Sequence, residues 1–236
     1  MSFEPACVYD RYWASRDRPR AEARSRERGA LAARLLIEAG AAGRRVLDAG
    51  CGPGWTLEEL ARAGFQATGA DVSPAAVDEA RSRGLEARVA DLSGHPDDLG
   101  RAVGGSYDAV LLLEVLEHLL DPLAALGAAF KLLAPGGLLA VSLPNEVSLA
   151  SRLRVLAGRL PFGGHDDPHV RHFDRRLARR LFAAAGAKVL AERPVSIFPP
   201  SWKLIRTAAA PLLSVAPGAF SIASIYILRP EGAHAP

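Results

Sequence analysis

The stretch Val46-Leu-Asp-Ala-Gly-Cys-Gly-Pro-Gly-Trp55 determines how this chain of 236 residues is interpreted. An apolar run ends at Asp48, a helical pattern begins after the stretch, and three glycines lie between them: Gly50, Gly52 and Gly54. Such a turn lets backbone approach a ligand closely, because no Cβ stands in the way. It also directs helix N-terminal amides at that ligand. By itself the pattern fits several nucleotide ligands, including NAD, and also an ordinary tight turn.

The composition is typical of a globular protein, with 49% hydrophobic and 23% charged residues, and the length fits a single domain. Two cysteines, Cys7 and Cys51, cannot form a disulfide framework, so we expect a reducing, cytoplasmic location. The N-terminus lacks the pattern of a signal peptide. The longest apolar stretch, 205–228, is interrupted by Pro211 and Pro217, so we expect no transmembrane segment.

Strand and helix patterns alternate five times between residues 46 and 143. The predicted strands are 46–48, 66–71, 86–90, 108–113 and 138–143, and the predicted helices are 9–40, 56–63, 73–84 and 121–133. This alternation is typical of a parallel, doubly wound sheet. We expect five further segments: a helical insertion over 146–160, a helix capped by Asp174, a strand over 188–192, a Pro-rich apolar excursion over 199–218 and a final strand over 221–228.

Polar residues follow the predicted strands at their carboxyl ends, where open α/β sheets bind ligands. They are Asp48, Asp71, Asp91, Glu114 and Asn145. An acid about 20 residues beyond a glycine turn can accept hydrogen bonds from both hydroxyls of a ribose, which predicts that role for Asp71. Asp91 is placed to accept from an adenine amino group. Each acid could instead cap a helix, but the set as a whole favours an adenosine-type ligand.

Five motifs together resemble those of class I S-adenosylmethionine-dependent methyltransferases. They are VLDAGCGPG (46–54), GADVSP (69–74), VADL (89–92), YDAVLLLEVLEHLLDP (107–122) and LLAPGGLLAVSLPN (132–145). The resemblance covers residues 44–145 and, more loosely, the HVRHF stretch and the final strand. It implies a Rossmann-like, doubly wound, seven-stranded sheet, mostly parallel with the last strand antiparallel, and helices on both faces.

The resemblance also implies how residues 1–236 are divided within a single methyltransferase domain. Residues 1–43 would form a helical lid, 44–145 the cofactor-binding core, 146–220 the substrate-side insertion and helices, and 221–229 the final strand. It implies S-adenosyl-L-methionine as cofactor and S-adenosyl-L-homocysteine as product. The implied cofactor-binding residues are Asp48, Gly50, Cys51, Gly52, Gly54, Asp71, Val72, Asp91, Leu92 and Glu114.

A second constellation, Glu114-Val-Leu-Glu117-His118, follows the fourth strand. If a helical turn begins just past that strand, positions i, i+3 and i+4 share one face. Two carboxylates and an imidazole on one face can bind a divalent cation or serve general acid–base catalysis. Alternatively, His118 is a core residue and Glu114 only closes the cofactor pocket.

Two methyltransferase families carry a similar E-x-x-E-H segment: the ubiquinone-biosynthesis O-methyltransferases and the small-RNA 3′-end 2′-O-methyltransferases. This resemblance implies Glu114, Glu117 and His118 as ligands of Mg²⁺. A downstream histidine would complete the site, with His165, His169 and His172 available and His169 favoured. Many small-molecule methyltransferases share the EHLxDP stretch without a metal role, so the metal stays open.

Three functions remain after these considerations. The first is O-methylation of a hydroxylated small molecule that is phenolic, sugar-like or lipid-like. Its candidate catalytic residues are His118 or His169 as base and Glu114. The second is RNA 2′-O-methylation, suggested by arginine clusters at 11–34 and 171–180, although no RNA-binding module is appended. The third is a cofactor-binding module without catalysis.

The flanking regions carry the remaining expectations. The aromatic segment 9–13 is expected either to fold over the cofactor as a lid or to anchor the N-terminus. The polar loop 163–173 is expected either to form a pocket wall or to lie on the surface. The apolar region 146–220 predicts a hydrophobic acceptor or a homodimer surface, and the sequence does not rank these two.

Overall fold

The computed structural model describes residues 5–15, 17–41, 44–95, 97–160, 169–198 and 201–232. Its helices are α1 (Pro5–Ser15), α2 (Arg18–Glu38), α3 (Trp55–Arg62), α4 (Pro74–Ser82), α5 (Asp98–Val103), α6 (Pro122–Lys131), α7 (Leu149–Leu156), α8 (Arg175–Ala184), α9 (Lys203–Val215) and α10 (Pro217–Phe220). Its strands are β1 (Arg45–Ala49), β2 (Gln66–Asp71), β3 (Glu86–Val89), β4 (Tyr107–Leu113), β5 (Leu133–Pro144), β6 (Ala187–Ser196) and β7 (Ser221–Pro230).

The strands form one sheet in the order β3-β2-β1-β4-β5-β7-β6. Strands β1 to β5 pair in parallel, whereas β7 runs antiparallel to both β5 and β6. The strand order reverses between β1 and β4, which is where open α/β sheets bind ligands. The predicted seven-stranded Rossmann-like fold is therefore confirmed.

Successive residues of the central strands point to opposite faces of the sheet and enter two separate cores. Leu47 and Val110 lie on one face with side chains of α5, α6 and α8. Val46 and Leu111 lie on the other with side chains of α2, α3 and α4. Burial on both faces explains why these strands are continuous apolar runs rather than alternating ones.

Three elements differ from the sequence-based predictions. The helix predicted over 9–40 is two helices, because Asp17 caps α2 and accepts from the Arg20 amide at 3.3 Å. Strand β5 begins at Leu133, ahead of the turn predicted over 135–137. The excursion over 199–218 contains α9, a helix with Pro211 inside it that no sequence pattern indicated. Across the described part of the chain, no helix is long and apolar enough to cross a membrane.

Candidate functional site

The glycine turn between β1 and α3 is held against the end of β2. The amides of Gly50 and Cys51 donate to the Ala70 carbonyl at 2.7 and 3.0 Å. Gly50, Gly52 and Gly54 all have positive φ, at 97°, 50° and 89°. A Cβ at Gly50 would collide with Val115 Cγ2. The turn therefore requires glycine both for its backbone conformation and for the space around it.

Asp48 lies at the end of β1, directly before this turn, and is 1% exposed. Its Oδ2 atom has no hydrogen-bond partner among the described residues. Burial, reinforced by Asp71, raises the pKa of Asp48 to about 7, whereas Arg28 acts in the opposite direction. A buried acceptor without a partner costs free energy. The Asp48 carboxyl is therefore suited to accept from the ammonium of a ligand seated on the turn.

Asp71 ends β2 and is buried. Its two carboxylate oxygens accept from the amides of Ser73 at 2.9 Å and Gly52 at 2.8 Å. Burial raises the pKa of Asp71, and these two hydrogen bonds counteract the rise. Ser73, rather than Asp71, caps α4 through a hydrogen bond from the Ala76 amide. Asp71 therefore does not serve as the helix cap that was its alternative role.

The half-buried Asp91 follows β3 and Ala90 at the same sheet edge. Its Oδ1 atom accepts from the amide and hydroxyl of Ser93, at 2.7 and 2.6 Å. Val72 and Leu92, the residues after the two acids, are also half-buried. Asp71, Val72, Asp91 and Leu92 thus lie at or just beyond the carboxyl ends of β2 and β3, where the adenosine half of the ligand is expected.

Glu114 is the one non-glycine residue with positive φ, at 58°, in the described part of the chain. Strained backbone of this kind clusters at functional sites. Its Oε1 atom accepts from the Ser142 hydroxyl at 2.7 Å, and Oε2 lies 4.0 Å from Arg28 Nη1. The helical turn after β4 begins at Leu116. The expectation that one helical face carries Glu114, Glu117 and His118 is therefore wrong, because Glu114 lies outside the turn.

Glu117, His118 and His169 form the cluster that the structure does assemble. One potential ligand atom from each lies within 4.8 Å of the others. The His118 and His169 rings are 4.7 Å apart between centroids, and His118 Nε2 is 4.0 Å from Glu117 Oε1. Amides of Val170 and Arg171 donate to the Glu117 carbonyl, each at 2.9 Å, and so bring His169 to the cluster.

Glu117 is fully buried, and neither carboxylate oxygen has a hydrogen-bond partner among the described residues. Burial raises the pKa of this carboxyl well above its usual range, and Glu114 adds to the rise. Burial of this kind disfavours the charged form of the carboxyl, and a cation or a hydrogen-bond donor beside it would favour that form. The cluster is thus arranged for proton transfer or for binding a cation.

Glu146, which sequence reasoning did not single out, faces the same cluster. Its Oε1 atom lies 3.9 Å from His169 Nδ1, and Oε2 lies 2.5 Å from His172 Nδ1. Its position directly after the polar end of β5 was the available signal. His172 is on the outer side of Glu146 and exposed, while His165 lies outside the described residues.

Helix α1 spans the glycine turn and the cluster. A Cβ at Gly52 would lie 2.5 Å from the Trp13 ring, and Asp10 accepts a hydrogen bond from the Ser73 hydroxyl. The Tyr9 and Tyr12 rings meet His118 edge-on, at 5.9 and 6.4 Å between centroids. Burial, together with Tyr12 and Asp71, raises the pKa of the Tyr9 hydroxyl.

Asn145, the fifth polar strand end, has a structural use. Its side-chain amide donates to the carbonyls of Gly218 and Ser221, both at 2.9 Å.

Arginines of the two clusters form ion pairs with acidic residues within the molecule. Ion pairs join Arg18 to Glu79, Arg24 to Glu27, Arg26 to Glu22, Glu58 and Glu59, and Arg175 and Arg179 to Glu192.

Known proteins resemble this chain in sequence over about half of its length. The ubiquinone biosynthesis O-methyltransferase of Xanthomonas oryzae pv. oryzae is 44% identical over 131 residues, which cover 52% of this chain and 55% of that protein. Its counterpart in Xanthomonas campestris pv. campestris is 43% identical over 142 residues, covering 57% and 58%. The chain thus spans little more than half the length of these relatives.

Solved structures share the fold. A magnesium protoporphyrin IX methyltransferase from Synechocystis PCC 6803, solved with bound SAH, superposes with a TM-score of 0.61 at 20% identity, covering 89% of this chain and 84% of that one. A SAM-dependent methyltransferase from Thermotoga maritima superposes with a TM-score of 0.63 at 15% identity, covering 94% and 98%. A family model described as a methyltransferase domain matches residues 20–192. The chain therefore belongs to the methyltransferase domain family, as its motifs predict.

Proposed function

We propose that this protein transfers a methyl group from S-adenosyl-L-methionine to a hydroxyl oxygen of a small molecule. The observation that carries the proposal is the buried cluster of Glu117, His118 and His169 beside the glycine turn. The two sites adjoin because Val115, two residues before Glu117, packs against Gly50. The relatives named above as O-methyltransferases support the same chemistry.

The structure offers a fitting place for this cofactor. The unpartnered Oδ2 of Asp48 would accept from its ammonium, and the glycine turn would hold its methionine part. Asp71 would accept from the ribose hydroxyls, with Val72, Asp91 and Leu92 around the adenine. Cys51 and Glu114 would complete the walls. When bound, the cofactor supplies a methyl group already activated by the sulfonium.

The contribution of this chain to the reaction is alignment and removal of a proton. His118 or His169 would accept the proton of the acceptor hydroxyl. The methyl group would then pass from the sulfonium sulfur to that oxygen, with S-adenosyl-L-homocysteine as the leaving group. Helix α1, within the proposed lid 1–43, would exclude water over the core 44–145. Residues 146–220 would select the acceptor, and 221–229 complete the sheet.

The cluster also fits a divalent cation. Glu117 supplies two buried oxygens that have no hydrogen-bond partner among the described residues, and His118 and His169 supply imidazole nitrogens. One carboxylate and two imidazoles suit zinc or another first-row transition metal better than Mg²⁺, which favours oxygen ligands. Glu114 would add a second carboxylate, but its Oε1 atom already accepts a hydrogen bond from the Ser142 hydroxyl. A bound cation would lower the pKa of the acceptor hydroxyl.

The decisive experiment measures S-adenosyl-L-homocysteine formed by the purified protein with catechols, phenols, sugars and amphipathic alcohols as acceptors. We expect turnover with at least one class and its loss in His118→Ala and His169→Ala, while Lys188→Ala, at an exposed position far from the cluster, retains it. Turnover that survives both histidine substitutions would reject these catalytic assignments. Binding of S-adenosyl-L-homocysteine, measured by calorimetry, tests the cofactor site separately.

The same experiment includes a structured RNA as acceptor. The internal ion pairs of α2 and α8 leave fewer free arginines to contact a phosphate backbone than the sequence suggested. Methylation of the RNA with salt-sensitive binding would replace the small-molecule proposal. Cofactor binding without turnover on any acceptor would favour a non-catalytic module.

A further inference from the structure

Helices α7 and α9, with the residues just beside them, carry most of the large apolar side chains that the fold leaves in solvent. On the α7 side these are Val147, Leu149, Leu153, Val155, Leu156 and Leu160, and on the α9 side Trp202, Leu204, Ile205, Leu212 and Val215. Three of them are almost fully exposed: Leu204 at 88%, Val215 at 85% and Leu156 at 83%. Scattered apolar residues need no explanation, but a concentration of this kind marks an interaction surface.

Helix α9 shows how far this surface departs from ordinary packing. All 13 of its residues are described, and none of them is buried. The helix is attached to the rest of the protein by an ion pair from Arg206 to Glu27 and by its contact with β6. An amphipathic helix normally buries its apolar stripe against the core. Here α9 also contacts α10, and Ala209 and Leu213 are half-buried, but the larger Leu204, Ile205 and Leu212 stay exposed.

Helices α7 and α9 are neighbours in the fold, because α10 contacts both of them. We call this the α7–α9 surface, formed by the exposed residues of 147–160 and 202–215. Asn145 fixes α10 to the end of β5 through the Gly218 carbonyl. The α7–α9 surface is therefore anchored to the sheet at its centre, although its outer residues are exposed.

The charges of the α7–α9 surface have a single sign. Residues 147–165 and 193–230 contain no aspartate or glutamate. The exposed charged residues are all basic: Arg152, Arg154, Arg159 and Lys203. Elsewhere the arginines of this protein pair with acids, as they do in α2 and α8. Only a partner that is itself anionic and apolar would complement this face.

We propose that the α7–α9 surface docks on an anionic phospholipid bilayer. Helices that lie in a bilayer interface combine an exposed apolar face with lysine and arginine, and bind through apolar burial plus attraction to anionic lipids. A second copy of the chain is a poorer occupant, because a two-fold interface would set the same cations against each other. The proposal does not depend on the chemistry of the cluster.

The test uses the full-length protein and two kinds of vesicle, pure phosphatidylcholine and phosphatidylcholine with phosphatidylglycerol, in a flotation assay. We expect binding to the anionic vesicles that is at least tenfold stronger than to the neutral ones and that weakens as salt is raised. Each basic residue near the surface contributes about fivefold to such binding. Lys203→Glu, which removes one positive charge and adds one negative charge, should weaken it by roughly 25-fold.

Matched variants separate this surface from general effects. Lys188→Glu makes the same charge reversal at an exposed position on β6, and Ile37→Glu makes an exposed apolar-to-acid change on α2. We expect both to bind like wild type, whereas Leu204→Glu and Val215→Glu lose binding. All variants should unfold at the wild-type temperature, since none of these side chains is buried.

Three results would overturn the proposal. The first is no preference for anionic vesicles, and the second is equal binding by the surface variants and their controls. The third is a homodimer in sedimentation velocity that Leu204→Glu dissociates, which would make the α7–α9 surface a contact between two copies. Calorimetry with S-adenosyl-L-homocysteine reports the cofactor site in each variant, so failure of the proposed function is seen separately.

Discussion

The candidate site within residues 44–145 and the helices α7 and α9 within residues 146–220 are built on opposite principles. In the first region the candidate site is made by backbone: a glycine turn, a strained Glu114 and buried acids at strand ends. In the second region α7 has one buried residue, Ser151, and α9 has none. A site made by buried backbone tolerates few changes, whereas exposed helices tolerate many. The contrast teaches that the candidate cofactor site depends on the folded backbone, whereas α7 and α9 contribute mainly a surface.

The largest expected effect is that of Glu117→Gln, because Glu117 of the first region meets His169 of the second in the cluster. The substitution keeps the shape but removes a group that can ionise, so we expect turnover to fall roughly a hundredfold or more. Stability should change little, because the amide keeps the size of the side chain and neither carboxylate oxygen has a hydrogen-bond partner among the described residues. Turnover assays and urea unfolding measure the two effects, with the exposed Glu38→Gln as control. An equal loss of stability and turnover would contradict the assignment.

Gly50→Ala tests whether the first region depends on space as well as conformation. The new Cβ would collide with Val115, and overpacking of this kind costs about 1–3 kcal/mol. We expect lower stability and a loss of S-adenosyl-L-homocysteine binding by calorimetry. Gly84→Ala is the matched control, since its φ is +77° but no atom lies within 4 Å of the added Cβ. It should show only the backbone cost, with normal binding.

The buried Asp48 predicts that stability depends on pH. Its pKa rises from an ordinary 3.8 to about 7 on folding, so the folded state holds a proton that the unfolded state releases. Stability is therefore fully present below about pH 4 and falls as pH rises to about 7, by at most about 1.4 kcal/mol per pH unit. Unfolding of wild type and Asp48→Asn at pH 5 and pH 8 should diverge in this direction.

Exposed Asp78→Asn on α4 should follow the wild-type pH profile. If Asp48→Asn also follows it, then Asp48 ionises at its ordinary pKa in the folded protein. Saturating S-adenosyl-L-methionine should reverse the trend in the wild type, because its ammonium would stabilise the carboxylate.

The smallest expected effect lies in the second region. Leu204→Ala on α9 should change the free energy of unfolding by less than about 0.5 kcal/mol. Leu126→Ala, fully buried on α6, should cost about 2–5 kcal/mol. Thermal unfolding distinguishes them readily. A large destabilisation by Leu204→Ala would show that α9 packs against the protein in solution and would remove the contrast between the regions.

The first region could be predicted from the sequence because its chemistry follows the chain locally. The glycine turn and the strand order each follow short motifs, and the structure has the turn after β1 and Asp71 at the end of β2. The break between α1 and α2 was also signalled, by Asp17 followed by Pro19. The prediction of a single helix over 9–40 is wrong because Asp17 caps α2 within that range.

The cluster of Glu117, His118 and His169 and helix α9 could not be predicted in the same way, because their contacts form only in three dimensions. His169 joins Glu117 through backbone hydrogen bonds across some 50 residues of sequence. Glu114 lies outside the expected helical face because its positive φ turns the chain there. A glutamate in the sequence does not indicate positive φ, so this turn could not be predicted. Helix α9 could not be predicted because Pro211 lies inside it, and a proline argues against a helix. Its orientation depends on contacts with α10 and β6.

The Asn145 side chain has a consequence for how this protein can diverge. Its hydrogen bonds to the Gly218 and Ser221 carbonyls join the end of β5 to the start of β7. The segment between these two strands therefore begins and ends at the same place. The ends of that segment are thus held together whatever lies between them. Closing a longer loop adds only about 0.6 kcal/mol for each doubling of its length. Insertions into or deletions from the loops beside α7 and α9 can therefore accumulate at small thermodynamic cost, leaving the sheet and the cofactor side unchanged.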